Sequence, residues 1–397
     1  MLTSAVLVAA PALAACGGSS GPARAAAAPA AKSTTTSSGN TTEPTTQPPT
    51  PVTVALQPTD GAQDVAPAVP PRVSATNGTL ADVALTNPTG KQIAGALAED
   101  RRSWTVTEAL GYDKTYTWSG TAVGANGTQM PLTGSFHTVR PRRQISGALD
   151  TGDNQTVGIA MPITLTFGAA VNDRATVEKA LSVQTSVPTE GSWAWLDDRR
   201  VHWRPKEYWK PGTTVTVNAK VYGVAFGNGA FGAEDVTSTF TIGRAQIVRA
   251  DTQTHRLVVI RDGQQVADYP ASYGLESDPG RVTHNGIHVV MAKSDTFSMS
   301  NPAYHYRDVV VPWAVRISNN GEFIHGYAAS IYAQGVRNVS HGCANLSPAN
   351  AREYYDTAMI GDPVEVAGSS IPLSADDGDF YDWTIPWDQW KSMSALG

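Results

Sequence analysis

KTYTWSGTAVG, residues 114–124, sets Tyr116 and Trp118 on one side of an extended chain and Thr115, Thr117 and Ser119 on the other. A period of two marks a strand with one buried face. About one hundred residues later TTVTVNAKVYG (213–223) answers it. VPPRVSATNGTLAD (69–82) is likewise answered by MPITLTFGAAVND (161–173), and GSFHTV (134–139) by STFTI (238–242). Two copies at one period imply two units of the same β-architecture, over 51–142 and 143–245. Short strands separated by Gly, Pro and Asn-Gly pairs suit tandem immunoglobulin-like sandwiches, although neither copy holds a Cys pair for an inter-sheet disulfide. The Gly-rich GVAFGNGAFG (223–232) carries no Gly-Lys-Ser/Thr and lies between β-runs, so it reads as a hairpin and not as a phosphate loop.

A third unit, 246–367, is also β-rich. RLVVIRDGQQVADYPAS (256–272) gives two strands around Asp262-Gly263. GIHVVMAK, a loop through SDTFSMSNPAYHYRD (294–308), VVVPWAVRIS and GEFIH follow. One helix is signalled in SPANAREYYDTAMIG (347–361), with Ser347 as N-cap, Pro348 in the first turn and Gly361 past the end. The segment 368–397 carries Trp383, Trp387 and Trp390, and indoles at that density read as a strap packed on a neighbouring domain.

MLTSAVLVAAPALAACGGSS, at the N-terminus, is an apolar run too short to span a bilayer, ending in small residues. It reads as an export signal over 1–16. Residues 17–50 are Ala, Ser, Thr, Pro and Gly with almost no large apolar side chain, and so are expected to be an extended tether. At about 5–6 Å × √n such a tether averages roughly 30–35 Å. A net charge of −6 without a basic run excludes a nucleic-acid partner held through phosphates.

The chain has two Cys. Cys16 falls at the processing site, leaving Cys343 unpaired in an oxidising compartment. FIHGYAASIYAQGVRNVSHGCANLSPAN (323–350) places Cys343 two residues after His341 and eighteen after His325. His325 sits at a strand exit, and Gly342 permits backbone angles that could turn successive N–H groups the same way. A thiol, an imidazole able to meet it and adjacent N–H donors are the parts of a cysteine acyl-transfer site, with the thiolate raised by ion pairing to the imidazole. A core histidine, a buried small thiol and a zinc site stay open as alternatives on pattern alone, although zinc lacks a fourth ligand nearby.

The run His325, fourteen residues, then Ser340-His341-Gly342-Cys343-Ala344-Asn345 resembles the signature of the L,D-transpeptidases of the YkuD family. Two preceding sandwiches and the trailing DWTIPWDQW resemble its mycobacterial and actinobacterial members. Leu13-Ala14-Ala15-Cys16 in turn resembles a lipobox, which implies lipidation at Cys16 and membrane contact only through that anchor, on the outer face of the membrane and reaching into the wall. The family resemblance implies transfer between peptidoglycan stem peptides, from a donor tetrapeptide to an acceptor stem. Terminal D-Ala is released, two diaminopimelates become joined, and β-lactams of the carbapenem type act as inhibitors. It implies Cys343 as nucleophile and His325 as base, with the Gly326 carbonyl orienting the imidazole where close relatives have Ser. His341 and Gly342 are implied to shape the oxyanion site. Ser340, Asn345, Met299, Tyr306, Asn320 and Gly321 are implied to face substrate. No metal and no organic cofactor are implied. An L,D-carboxypeptidase, with water as acceptor, and a non-catalytic wall-binding scaffold are the competing functions.

Overall fold

The alternation in residues 115–124 is realised as a strand, Thr115–Gly124, that buries Tyr116 and Trp118 and exposes Thr115, Thr117 and Ser119. A computed structural model describes residues 50–377 and 380–397 of the protein. The signal, Cys16, the tether up to residue 49 and Asp379 lie outside the described residues. Thr115–Gly124 pairs with Gln129–Thr138 and Gly78–Thr86, and Ala62–Val65 adds to the sheet in parallel. The facing sheet runs Thr53–Gln57, Arg72–Thr76, Ser103–Val106, Gly95–Leu97. Between them lies a core that includes Leu80, Leu85, Trp104, Trp118 and Phe136.

The second sandwich repeats this connectivity. Thr156–Val157, Val236–Ile242, Thr214–Ala219 and Leu181–Thr185 form one sheet, again with its first strand parallel to its last. Gly147–Leu149, Ile163–Phe167, Arg200–Pro205 and Gly191–Trp195 form the other. The likeness extends to one contact. A Cβ at Gly95 would stand 2.0 Å from the Trp104 ring, and a Cβ at Gly191 would stand 2.0 Å from the Trp203 ring. In both copies only glycine lets the indole lie flat across the neighbouring strand. GVAFGNGAFG forms a hairpin, Ala225–Gly227 against Ala230–Gly232, turning at Asn228 and Gly229, both at positive φ.

The third domain holds two sheets. Gln264–Pro270, Arg256–Arg261, Gln246–Asp251, Pro363–Ala367 and Gly286–Val289 form one. Ala292–Asn301, Tyr306–Arg316, Phe323–Gly326 and Ala344–Leu346 form the other. Here the structure corrects the loop expected over 294–308. Ala292–Asn301 and Tyr306–Arg316 are a long antiparallel hairpin pairing Phe297 with Val311 and Met299 with Val309. Its Ser residues read as loop, yet Ser298 and Ser300 are exposed while Phe297 and Met299 are half-buried, as alternation in a half-buried strand requires. The helix Pro348–Thr357 is capped by Ser347, whose hydroxyl accepts from Asn350 N–H at 3.2 Å. It ends at an extended Ala358, earlier than Gly361 suggested. Gly361, at φ +93°, instead lets the chain press on the second sandwich, where a Cβ would meet Gly158 N at 2.7 Å.

That contact belongs to a tight junction. Gly158 and Ala160 N–H donate to Ile360 and Gly361 carbonyls at 2.7 and 2.8 Å. Arg244 makes a two-pronged pair with the fully buried Asp362, both distances 2.7 Å. The two sandwiches meet through Tyr112 and Tyr222, whose hydroxyls donate to Gly232 and Leu110 carbonyls at 2.7 Å.

The C-terminal segment runs over the second sandwich. Arg204 lies among three indoles, 4.8 Å from the Trp383 ring, 5.2 Å from Trp387 and 4.8 Å from Trp390. Trp383 and Trp390 indole N–H groups donate to Ala160 and Ser192 carbonyls at 2.8 and 2.9 Å. His202 donates to Asp382 at 2.8 Å with both side chains buried. Before this, Asp377 accepts from the Asn320 amide at 2.8 Å, so the segment also touches the third domain.

Candidate active site

His325 and Cys343 are brought together by a parallel strand pair. Phe323–Gly326 lies beside Ala344–Leu346 with Ile324 opposite Ala344 and His325 opposite Asn345. Side chains two residues apart share a face, so Cys343, Asn345 and His325 point the same way. All three line one cavity of about 330 Å³, together with Met299, Tyr306, Ser340 and His341. Eighteen residues of sequence are closed by one sheet register.

His325 is buried, and its Nδ1 lies 3.1 Å from the Gly326 carbonyl. A carbonyl only accepts, so Nδ1 carries the hydrogen and Nε2 is left as a base. Burial pushes the imidazole down to about 4 against the opposing pull of the Gly326 bond. Cys343 lies in an apolar cluster with Val311, Ala314 and Phe323, and Phe297 and Met299 of the hairpin pack against it. Burial there pushes the thiol up to about 12, outweighing the Phe323 N–H that favours the thiolate. Both shifts favour the uncharged forms, a thiol beside a neutral imidazole, over the ion pair expected from sequence. The thiol hydrogen is directed at the Gly321 carbonyl, 3.7 Å from sulfur.

The loop before Cys343 is held from both sides. Gly342 sits at φ +106°, which side chains with a Cβ avoid. Its carbonyl accepts from the Thr283 hydroxyl at 2.7 Å. The Ser340 hydroxyl donates to the Cys343 carbonyl at 2.6 Å. Ser340 thus clamps the loop as well as lining the cavity. His341 is exposed and lies under the hairpin tip, 4.8 Å from the Tyr304 ring and 5.3 Å from Tyr306. Partial desolvation of the ring, then Arg281, lowers its affinity for a proton.

Asn320 and Gly321 do not line the cavity. The Asn320 amide is taken up by Asp377 and lies 3.2 Å from His284 Nδ1, so it anchors the turn from behind. Gly321 contributes only its carbonyl to the thiol. Sequence reasoning missed Tyr304, Tyr327, Ser330 and Tyr332. It also missed Glu322, a buried carboxylate accepting from His284 N–H at 2.7 Å and from its imidazole at 2.8 Å behind Gly342. The repeated tyrosines of the hairpin tip and of the loop after His325 were the available signal. The zinc reading needs further ligands, and among the described residues no group of three or more His, Cys, Asp or Glu converges to hold a metal.

Comparison with known proteins places these observations in a family. The bacterial Ig domain family matches residues 62–225, and the L,D-transpeptidase catalytic domain family, YkuD, matches residues 245–366. L,D-transpeptidase 5 of Mycobacterium tuberculosis is 52% identical over 355 residues, covering 88% of this chain and 78% of that protein. L,D-transpeptidase 2 of the same species is 39% identical over 348 residues, covering 85% and 83%. A solved L,D-transpeptidase in complex with imipenem is 32% identical, covering 57% of this chain and all of that one, with a TM-score of 0.49.

Proposed function

Because the chain belongs to the L,D-transpeptidase family, we propose that it joins two peptidoglycan stem peptides through a thioester on Cys343. The observation that carries this reading is the convergence of Cys343 and His325 on one cavity wall, with Nε2 of His325 free to accept a proton. The donor tetrapeptide enters with the carbonyl of its third residue, diaminopimelate, at the sulfur. As sulfur attacks, the thiol proton passes to Nε2, and N–H groups of Gly342 and Cys343 receive the oxyanion, each donor contributing about 3–4 kcal/mol. The bond to terminal D-Ala breaks, and the imidazolium returns the proton to the leaving amine. The side-chain amine of a second stem then attacks the thioester and gives its proton to His325. The new amide is released and the thiol recovers its hydrogen. Because both groups rest neutral, proton transfer accompanies attack and no standing thiolate is needed.

We propose further that the chain works outside the cell membrane, held by a lipid on Cys16, and acts on the wall. An apolar run ending in Leu-Ala-Ala-Cys supports this placement.

The imipenem complex of a relative motivates a direct test. A β-lactam carbonyl should acylate Cys343, with ring opening and no leaving group lost from the adduct. Incubating a chain beginning at residue 52 with imipenem should add one inhibitor mass, on the peptide containing Ser340 to Asn345. A chelator should not alter it. No adduct, or an adduct elsewhere, would sink the thiol mechanism.

A further inference from the structure

Among the described residues Tyr332 is the one Phe, Trp or Tyr side chain left exposed, at 64%. It lies at the mouth of the cavity and forms part of its wall. Ile331 at 52% and Val336 at 67% flank it, so apolar exposure concentrates within six positions. Isolated exposed apolar residues need no explanation, but a cluster at the rim of a site marks a contact surface.

This exposure is enforced by the local structure. Ala333 is fully buried, and N–H groups of Val336 and Arg337 donate to its carbonyl at 3.0 and 2.9 Å. Gly335 N–H donates to Ala271 at 2.9 Å, and the Gln334 side-chain amide donates to the Tyr327 carbonyl at 3.2 Å. A loop pinned at its centre and both flanks holds Ile331, Tyr332 and Val336 outward. The Arg337 guanidinium lies 5.0 Å from the Tyr332 ring centre, giving the apolar patch a cationic edge.

The loop that carries Tyr332 also holds Tyr327, 6.1 Å from the His325 ring, and both tyrosines line the cavity together with the hairpin residues Met299 and Val309. In a two-substrate transfer the acceptor amine must surrender its proton to His325. The second chain therefore arrives on the imidazole side, whereas the hairpin closes over the first. A stem peptide is short, carries alanine methyls and is acidic, which complements an aromatic ring bordered by a guanidinium.

We infer that Ile331, Tyr332, Val336 and Arg337 form the platform on which the acceptor stem peptide lies while its amine reaches the thioester. This rests on the transpeptidase reading above, so the test separates the two. With the full chain and a disaccharide-tetrapeptide, cross-linking is measured against acceptor concentration beside acylation by imipenem. Tyr332→Ala and Arg337→Gln are each expected to lower the ratio of cross-linking to acylation about tenfold through a raised KM for acceptor. Tyr332→Trp, which keeps a flat ring, should restore most of it. If acylation falls in step with cross-linking, or the ratio is unchanged in both variants, the platform is wrong. If the parent protein neither acylates nor cross-links, the transpeptidase reading falls and the platform with it.

Discussion

Cys343→Ala is expected to abolish cross-linking, D-Ala release and acylation by β-lactams together, at a cost to the fold on the order of only 1 kcal/mol. The thiol makes only weak bonds, to the Gly321 carbonyl and from the Phe323 N–H, and sits among apolar groups that tolerate a methyl. The loop around it is held by Ser340, Gly342 and Thr283 and not by sulfur. Circular dichroism should be unchanged while turnover is undetectable. Turnover retained by the purified variant would place the chemistry elsewhere. His325→Ala should behave differently. Without a base the buried thiol must ionise unaided, and burial has moved it up to about 12. The residual rate should then climb about tenfold per pH unit throughout the alkaline range. In the parent protein the rate should stay level from neutrality down to the region where His325, lowered to about 4, takes up a proton and ceases to act as base. A parent acid limb near the ordinary histidine value would contradict the buried neutral imidazole.

Removal of residues 382–397 is expected to lower the melting temperature on the order of 10 °C, with the second sandwich as the element that loosens. Trp390 is fully buried, and losing one such indole costs about 3–5 kcal/mol. The same truncation strips Arg204 of its three rings and leaves the buried His202 without Asp382. It also removes the Ser394 hydroxyl and the Ala395 N–H that donate to Glu178 at 2.6 and 2.8 Å, leaving that buried carboxylate the Trp195 indole N–H at 2.9 Å. Scanning calorimetry of the truncated chain gives the answer, and an unchanged transition would mean that the strap contributes nothing. Trp390→Ala should reproduce a large part of the loss.

Much of this architecture was legible in the chain because it is local. Tyr116 and Trp118 alternate with Thr and Ser, so their strand and its repeat are visible in a window of ten residues. His325 and Cys343 were legible because the family signature holds them at fixed spacing. What could not be read depends on groups distant in sequence. The burial that favours an uncharged thiol follows from a hairpin that packs Phe297 and Met299 against the Cys343 cluster, and its polar residues disguised it as a loop. Arg204 gives no hint of three indoles about 180 residues away. Asn320, expected to face substrate, is instead drawn to Asp377, because the C-terminal segment comes within reach behind the turn. Tyr332 is an ordinary tyrosine in sequence and becomes notable only because every other described Phe, Trp and Tyr is at least half-covered.

The most direct test of the central claim is mass analysis of products from a purified disaccharide-tetrapeptide. The expected result is loss of D-Ala together with a dimer whose new amide joins the third residue of one stem to the side chain of the third residue of another. Shortened monomer without dimer would make the protein a carboxypeptidase, with water in place of the acceptor amine. Unchanged substrate, from protein whose fold is intact, would contradict the enzymatic reading altogether.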